Sequence, residues 1–263
     1  MINRREALVG ALIAVAAPIA TQAEAATASS WLSYENRLRQ RLGDAGGGRF
    51  DEGFARALLG EVNGFRASHR MGGYQWDEGL AATARAHAAD MAARNYFAHN
   101  APEGFTPFDR ASLIARDLAG PVAENLAWRT GGPTARTFED MWEMSPGHRK
   151  NLLKTDCTHA GYGVVRAGGK VFAVGVYAGA QVRLARPMPL KLSSPQELTT
   201  MLAGSHPQIQ RVAFTRPGEN PSTVPAPLSK APALAPGIWQ MRPCKPAANG
   251  LFDVLNGPTF FVA

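Results

Sequence analysis

The chain has little of what would mark several functional classes. Only two of its 263 residues are cysteine, so it is neither a disulfide-dense scaffold nor a four-cysteine zinc module. Its surplus of seven positive charges contains no long block of Lys or Arg and no interleaved aromatics, which removes the usual footprint of nucleic-acid recognition. No Gly-x-Ser-x-Gly elbow occurs, so a serine nucleophile of that kind is excluded. The longest apolar stretch, Ala7 to Ala20, has fourteen residues. A membrane-spanning helix needs roughly 20, so no transmembrane segment is expected in the mature chain.

That stretch follows Arg4-Arg5 and precedes Ala23-Glu24-Ala25, a small-x-small site. The order predicts an export signal over residues 1–25, cut after Ala25, and a secreted or periplasmic mature protein; the alternative is an uncleaved anchor. The paired arginines suit the twin-arginine route for folded cargo. An oxidising compartment would allow Cys157 and Cys244 to form one disulfide, fastening the tail to the main domain.

Phe54, Leu58, Val62 and Phe65 recur at helical spacing, as do Leu80, Ala84, Ala88 and Met91, which predicts two amphipathic helices of about 18 residues. A short helix is expected at Trp31 to Arg41, then a glycine-rich linker at Gly43 to Gly48. Further helices are expected near Phe108 to Asp117, Pro133 to Met144, and from Ser145-Pro146 to Leu153, with Ser145 as the capping residue. Gly161 to Arg166 and Val171 to Tyr177 flank Ala167-Gly168-Gly169-Lys170, a hairpin signal. Helices first and strands last imply an α+β core. Thirteen of the 19 prolines follow residue 186, so Pro217 to Pro236 should be extended or mobile. Val212-Ala213-Phe214, Gly237-Ile238-Trp239 and Leu251 to Val262 are candidate short strands.

His99 and His148, 49 residues apart, cannot share one helical turn but suit two loops converging on a cleft. Each stands in a motif: Tyr96-Phe97-Ala98-His99, and Trp142-Glu143-Met144-Ser145-Pro146-Gly147-His148-Arg149. Ala123-Glu124-Asn125-Leu126-Ala127 lies between them. The three segments, in this order, resemble the CAP superfamily (SCP-like; cysteine-rich secretory, antigen 5 and pathogenesis-related proteins). Serine at position 145, where the eukaryotic pattern has a second glutamate, resembles the bacterial branch. Glu143 and Glu139 point about 200° and 120° away from that position on a helix, so neither replaces it.

The resemblance implies a CAP-type α-β-α sandwich over residues 55–180, with a small antiparallel sheet between helix layers. Residues 26–54 would then be an N-terminal helix and linker, and 181–263 a Pro-rich extension with a possible small β module. It also implies a cleft in which His99 and His148 hold a divalent metal such as zinc, beside Glu124, Asn125 and Ser145. The leading expectation is a non-enzymatic module that binds a small amphiphile (a lipid) or an envelope component. One alternative is a metal-dependent peptide or ester hydrolase with Glu124 as base; another is a structural envelope-interaction protein. The alternative to metal binding is that His99, Glu124 and His148 form a buried hydrogen-bonded cluster that supports the cleft. His87 reads as a buried core histidine, Arg110 and Asn125 as residues that hold loops, and Ser145 with His148 as no hydrolase pair, since a cap serine turns its oxygen to backbone amides.

Overall fold

A computed structural model of the chain describes residues 28–192, 197–198, 209, 211–219, 225–227, 233–247 and 251–262. The expected export signal and parts of the Pro217 to Pro236 stretch lie outside the described residues. The chain begins with α1 (Ala28–Gly43), β1 (Arg49–Phe50), α2 (Glu52–Ser68), β2 (Gln75–Trp76), α3 (Glu78–Arg94) and α4 (Pro107–Ile114). Then come β3 (Leu118–Ala119), β4 (Val122–Thr130), α5 (Ala135–Met144), α6 (Pro146–Leu152), β5 (His159–Ala167), β6 (Lys170–Ala178) and β7 (Val182–Arg183). The remainder supplies β8 (Lys191–Leu192), β9 (Arg211–Thr215), β10 (Ala226–Pro227), β11 (Gly237–Pro246), β12 (Phe252–Val254) and β13 (Thr259–Val262).

Local chemistry explains the element ends. Asp51 and Asp77 accept from the amides of Phe54 and Leu80 at 3.1 and 2.8 Å, capping α2 and α3. Thr106 and Asp109 form a capping box with Pro107 in the first turn of α4. Asn95 ends α3 in the left-handed conformation at φ 52°. Gly168 and Gly169, at φ 54° and 74°, close the β5–β6 hairpin tightly, with Ala167 paired to Lys170.

The first sheet runs β1-β5-β6-β4, with β2 added parallel to β5. One face carries Ala127, Ala173, Tyr162 and Val164 against α2, α5 and α6. The other carries Leu126, Val174, Val176 and Val165 against Leu80, Ala84, Ala88 and Met91 of α3. This is a three-layer α-β-α arrangement of the CAP type. The α3 layer sits unusually close to β5: a Cβ on Gly161 or Gly163 would lie 2.0 Å from the Ala81 nitrogen or 2.2 Å from the Arg85 nitrogen.

A second sheet, β10-β9-β11-β13-β8 with β12 on β11, is built almost wholly from the chain after residue 190. Val212, Met241, Leu255 and Phe260 pack there with Val182, Leu184 and Met188. The disulfide expected to fasten this region is not formed: Cys157 and Cys244 are both buried free thiols. Cys157 belongs to the core under α2 and α5, whereas Cys244 sits within β11, paired with Arg211 and Val254. Polar contacts do the fastening instead. Buried Arg116 donates to the carbonyls of Met188, Pro189 and Thr259 at 2.6, 2.6 and 2.8 Å. The hydroxyls of Ser112 and Thr259 meet at 2.9 Å. Among the described residues, no helix is long and apolar enough to cross a membrane.

Candidate functional site

The site is organised around edge strand β4, a stretch to which periodicity assigned no element. Successive strand residues face opposite sides of a sheet, and here Glu124 and Asn125 are successive and both buried. Glu124 faces the α3 and α4 side; Asn125 faces α6. Each side chain holds the loop or helix that brings in one histidine.

On the first side, Glu124 Oε1 lies 2.9 Å from His99 Nδ1, and its Oε2 accepts from Arg110 Nη2 at 2.8 Å. The same Arg110 nitrogen donates to the His99 carbonyl at 2.6 Å, and Nη1 reaches the Tyr34 hydroxyl at 3.3 Å. Arg110 is 0% exposed, so its charge depends on these partners, because a buried guanidinium left unpaired is costly. Burial pushes the Glu124 carboxyl up, but Arg110, His87 and His99 pull harder and hold it down at about 2. The carboxylate is therefore ionised, so at this contact His99 Nδ1 donates and Glu124 accepts, which leaves Nε2 as the ring nitrogen not engaged with Glu124. This carboxylate–histidine arrangement is the one that orients metal-ligating imidazoles.

His87, fully buried on α3, stands behind that pair. Its Nε2 donates to the Ala98 carbonyl at 3.0 Å and lies 3.9 Å from Glu124 Oε1. Burial, reinforced by Arg110, depresses its pKa to about 3, so His87 is neutral at ordinary pH.

On the second side, Asn125 Nδ2 donates to the His148 carbonyl at 3.1 Å, and Asn151 Nδ2 donates to Asn125 Oδ1 at 3.0 Å and to the Glu124 carbonyl at 3.1 Å. Burial and the neighbouring His99 lower the His148 pKa, which keeps its ring neutral and its lone pair available. The two imidazole centroids are 6.4 Å apart at an interplanar angle of 57°. Two histidines on one tetrahedral ion would put their ring centres about 5 Å apart, so a closure of about 1 Å would let both ligate. The donor set suits a divalent ion: two imidazoles, one already oriented by a carboxylate.

Ser145 takes the position expected of it between α5 and α6 but makes no side-chain capping bond, which corrects the capping expectation. Pro146 follows it and brings no N–H, and the Ser145 amide itself closes α5 on the Trp142 carbonyl at 3.3 Å. Glu139 and Glu143 group with Asp140 on α5, their carboxylates within 4.8 Å of one another, and Arg136 bonds across that group. Sequence reasoning read Arg110 as holding loops but named none of its partners, and it gave His87 no part in organising His99. The available signal was a charged side chain three residues before Leu113 on the buried face of a short helix, which requires a buried carboxylate partner.

Residues 59–177 match the CAP family, described as the cysteine-rich secretory protein family. The chain is 41% identical over 96 residues to the uncharacterized protein YkwD of Bacillus subtilis (strain 168), a match covering 36% of this chain and 35% of that protein. It is 36% identical over 110 residues to the uncharacterized membrane protein YlbC of the same organism, covering 41% and 31%. The chain thus spans about a third of the length of the curated relatives it matches. Among solved structures, an outer surface protein from Borrelia burgdorferi aligns with a TM-score of 0.46 at 19% identity, over 51% of this chain and 99% of that one. An extracellular protein containing an SCP domain from Bacillus anthracis str. Ames aligns at 0.43 and 27%, over 49% and 41%. With the three motif segments folded around one edge strand and the matched region spanning all of them, residues 59–177 form a domain of the CAP superfamily, of the bacterial kind.

Proposed function

We propose that the protein is an exported binding module whose cleft holds a divalent ion, such as zinc, through His99 and His148 and accepts a small amphiphile or envelope component beside it. The observation that carries the metal reading is the 2.9 Å contact between His99 Nδ1 and Glu124. It commits one ring nitrogen to the carboxylate and leaves the other for a metal, on a ring whose centroid lies 6.4 Å from that of His148. The amphiphile reading draws on Phe97 and Met144, large apolar side chains 44% and 84% exposed, which stand two and four residues before the histidines.

Binding is favoured over metal-dependent hydrolysis by the state of Glu124. A general base works best with a pKa near the operating pH and room to reach its proton. Glu124 is buried, held at about 2, and committed to Arg110 and His99. Ser145 and Asn125 would shape the cleft wall rather than react.

Calorimetric titration of zinc into chelator-stripped protein, beside a His99→Ala, His148→Ala double variant, tests the metal reading. Binding tighter than about micromolar in the parent and absent in the variant is expected. Equal binding in both proteins, or none in the parent, would reduce the histidines to architecture. For the amphiphile, extraction of protein purified from a natural envelope should yield bound lipid; repeated recovery without any would remove that part of the reading.

A further inference from the structure

The loop that carries His99 is gripped by a helix that lies before the matched CAP segment. α1 covers residues 28–43, whereas the match begins at residue 59. At the start of the loop, the Tyr96 hydroxyl donates to Asp90 at 2.9 Å, and Arg37 and Arg41 of α1 each approach that buried carboxylate at 3.7 Å. Toward its end, Arg37 pairs with Glu103 at 3.0 Å. At Phe105 the Tyr34 ring stacks face to face, with centroids 4.2 Å apart and planes 3° from parallel, and Trp31 meets the same ring edge-on at 5.0 Å. The Tyr34 hydroxyl accepts from Arg110 Nη1 at 3.3 Å, and Arg110 holds both the His99 carbonyl and Glu124.

We infer that α1 is a positioning element of the cleft, acting through Tyr34 and Arg110 to fix His99 against Glu124. The dependence follows from the accounting of a buried guanidinium. Arg110 Nε already lacks a hydrogen-bond partner among the described residues, and besides Tyr34 its Nη1 reaches only the Phe105 carbonyl, at 3.5 Å. Removing the Tyr34 oxygen leaves Nη1 with that one weak acceptor. The guanidinium must then move to find another, and the two atoms it holds on the His99 side move with it. Tyr34 acts through its contacts with Arg110 and Phe105.

Tyr34→Phe isolates the effect, since it keeps the ring on Phe105 and deletes only the acceptor. In metal-free protein, nitrogen-15 spectra of the imidazoles should show the His99 Nδ1–H bond to Glu124 weakened, its proton shifted upfield and exchanging faster, while His148 is unchanged. Zinc affinity should fall about 3- to 10-fold, below the 10- to 100-fold typical of groups bonded directly to a ligand. The zinc arm rests on the function proposed above; the imidazole arm does not. A parent protein that ignores zinc defeats the metal reading and leaves the brace to be decided by the spectra.

Trp31→Leu loosens the helix at Phe105 without touching Arg110, and it decides the matter if Tyr34→Phe does not fold. The His99 signal should move in the same direction. A His99 signal unchanged in whichever variants fold, even with lowered thermal stability, would overturn the inference and leave α1 as packing alone.

Discussion

Glu124 and His87 each gain a depressed pKa on folding, and the two act on stability in different pH windows. For His87, burial and Arg110 bring the value from 6.5 to about 3. The unfolded chain therefore takes up the proton first, so the contribution is complete above pH 6.5 and is lost as pH falls toward 3. For Glu124, Arg110 and the two histidines outweigh burial and bring the value from 4.5 to about 2; its contribution is complete above 4.5 and is lost between there and 2. His148 and His159 are also lowered by burial and add to the upper window. His87→Gln, whose amide keeps a donor for the Ala98 carbonyl, should remove up to one proton's worth of slope, about 1.4 kcal/mol per pH unit, between pH 6.5 and 4.5. Urea unfolding at pH 5, 6, 7 and 8 measures this directly. Parallel loss of stability in variant and parent would mean that His87 is not held neutral in the folded state.

At the level of elements, the approach of α3 to β5 determines where His87 stands, and two glycines permit that approach. An alanine at Gly163 places its Cβ 2.2 Å from the Arg85 nitrogen and 2.4 Å from the Ala84 carbonyl carbon. Both are backbone, so the helix must move as a body, and Gly163→Ala should cost about 1–3 kcal/mol or more. Gly60→Ala, on the exposed face of α2 with nothing within 4 Å, should instead gain about 0.5–1 kcal/mol. Denaturant midpoints of the two variants moving in opposite directions would support this packing; a neutral Gly163→Ala would contradict it. The same contrast explains what was legible in the sequence. The helices and the β5–β6 hairpin announce themselves through local periodicity, Asp and Thr caps and a Gly-Gly turn. β4 does not, because Glu124 and Asn125 interrupt the apolar pattern of a buried strand. They are tolerated there through partners far off in sequence, among them Arg110, fourteen residues back from Glu124, and the His148 carbonyl, 23 residues ahead of Asn125. His99, Glu124 and His148 could be read from short motifs, whereas the partners of His87, Arg110 and Tyr34 lie on other elements, so a buried charge on α4 signals that a partner exists without naming it.

Across the whole molecule, the second sheet and α1 form one continuous brace on the CAP domain. Ile238 and Phe261 of that sheet pack with Trp31, Tyr34 and Leu38 of α1 and with Leu113 of α4. β8 and β13 pair in parallel although some 70 residues separate them, with Phe261 opposite Lys191, a non-local pairing that short proline-rich strands do not advertise. The polar hinge of the brace is Arg116, whose guanidinium serves carbonyls on both sides: Ser112 in α4 at 3.4 Å, and Met188, Pro189 and Thr259 in the extension. Arg116→Met keeps the apolar stem but strands buried carbonyls, at about 1–3 kcal/mol for each left unsatisfied. The extension should then detach before the CAP domain unfolds. Limited proteolysis is expected to cut the variant quickly between residues 184 and 192 while the CAP domain survives, and thermal unfolding is expected to split into two steps. A variant that keeps the parent's cleavage pattern and a single transition would show that the apolar contacts of Ile238 and Phe261 hold the two parts together without Arg116.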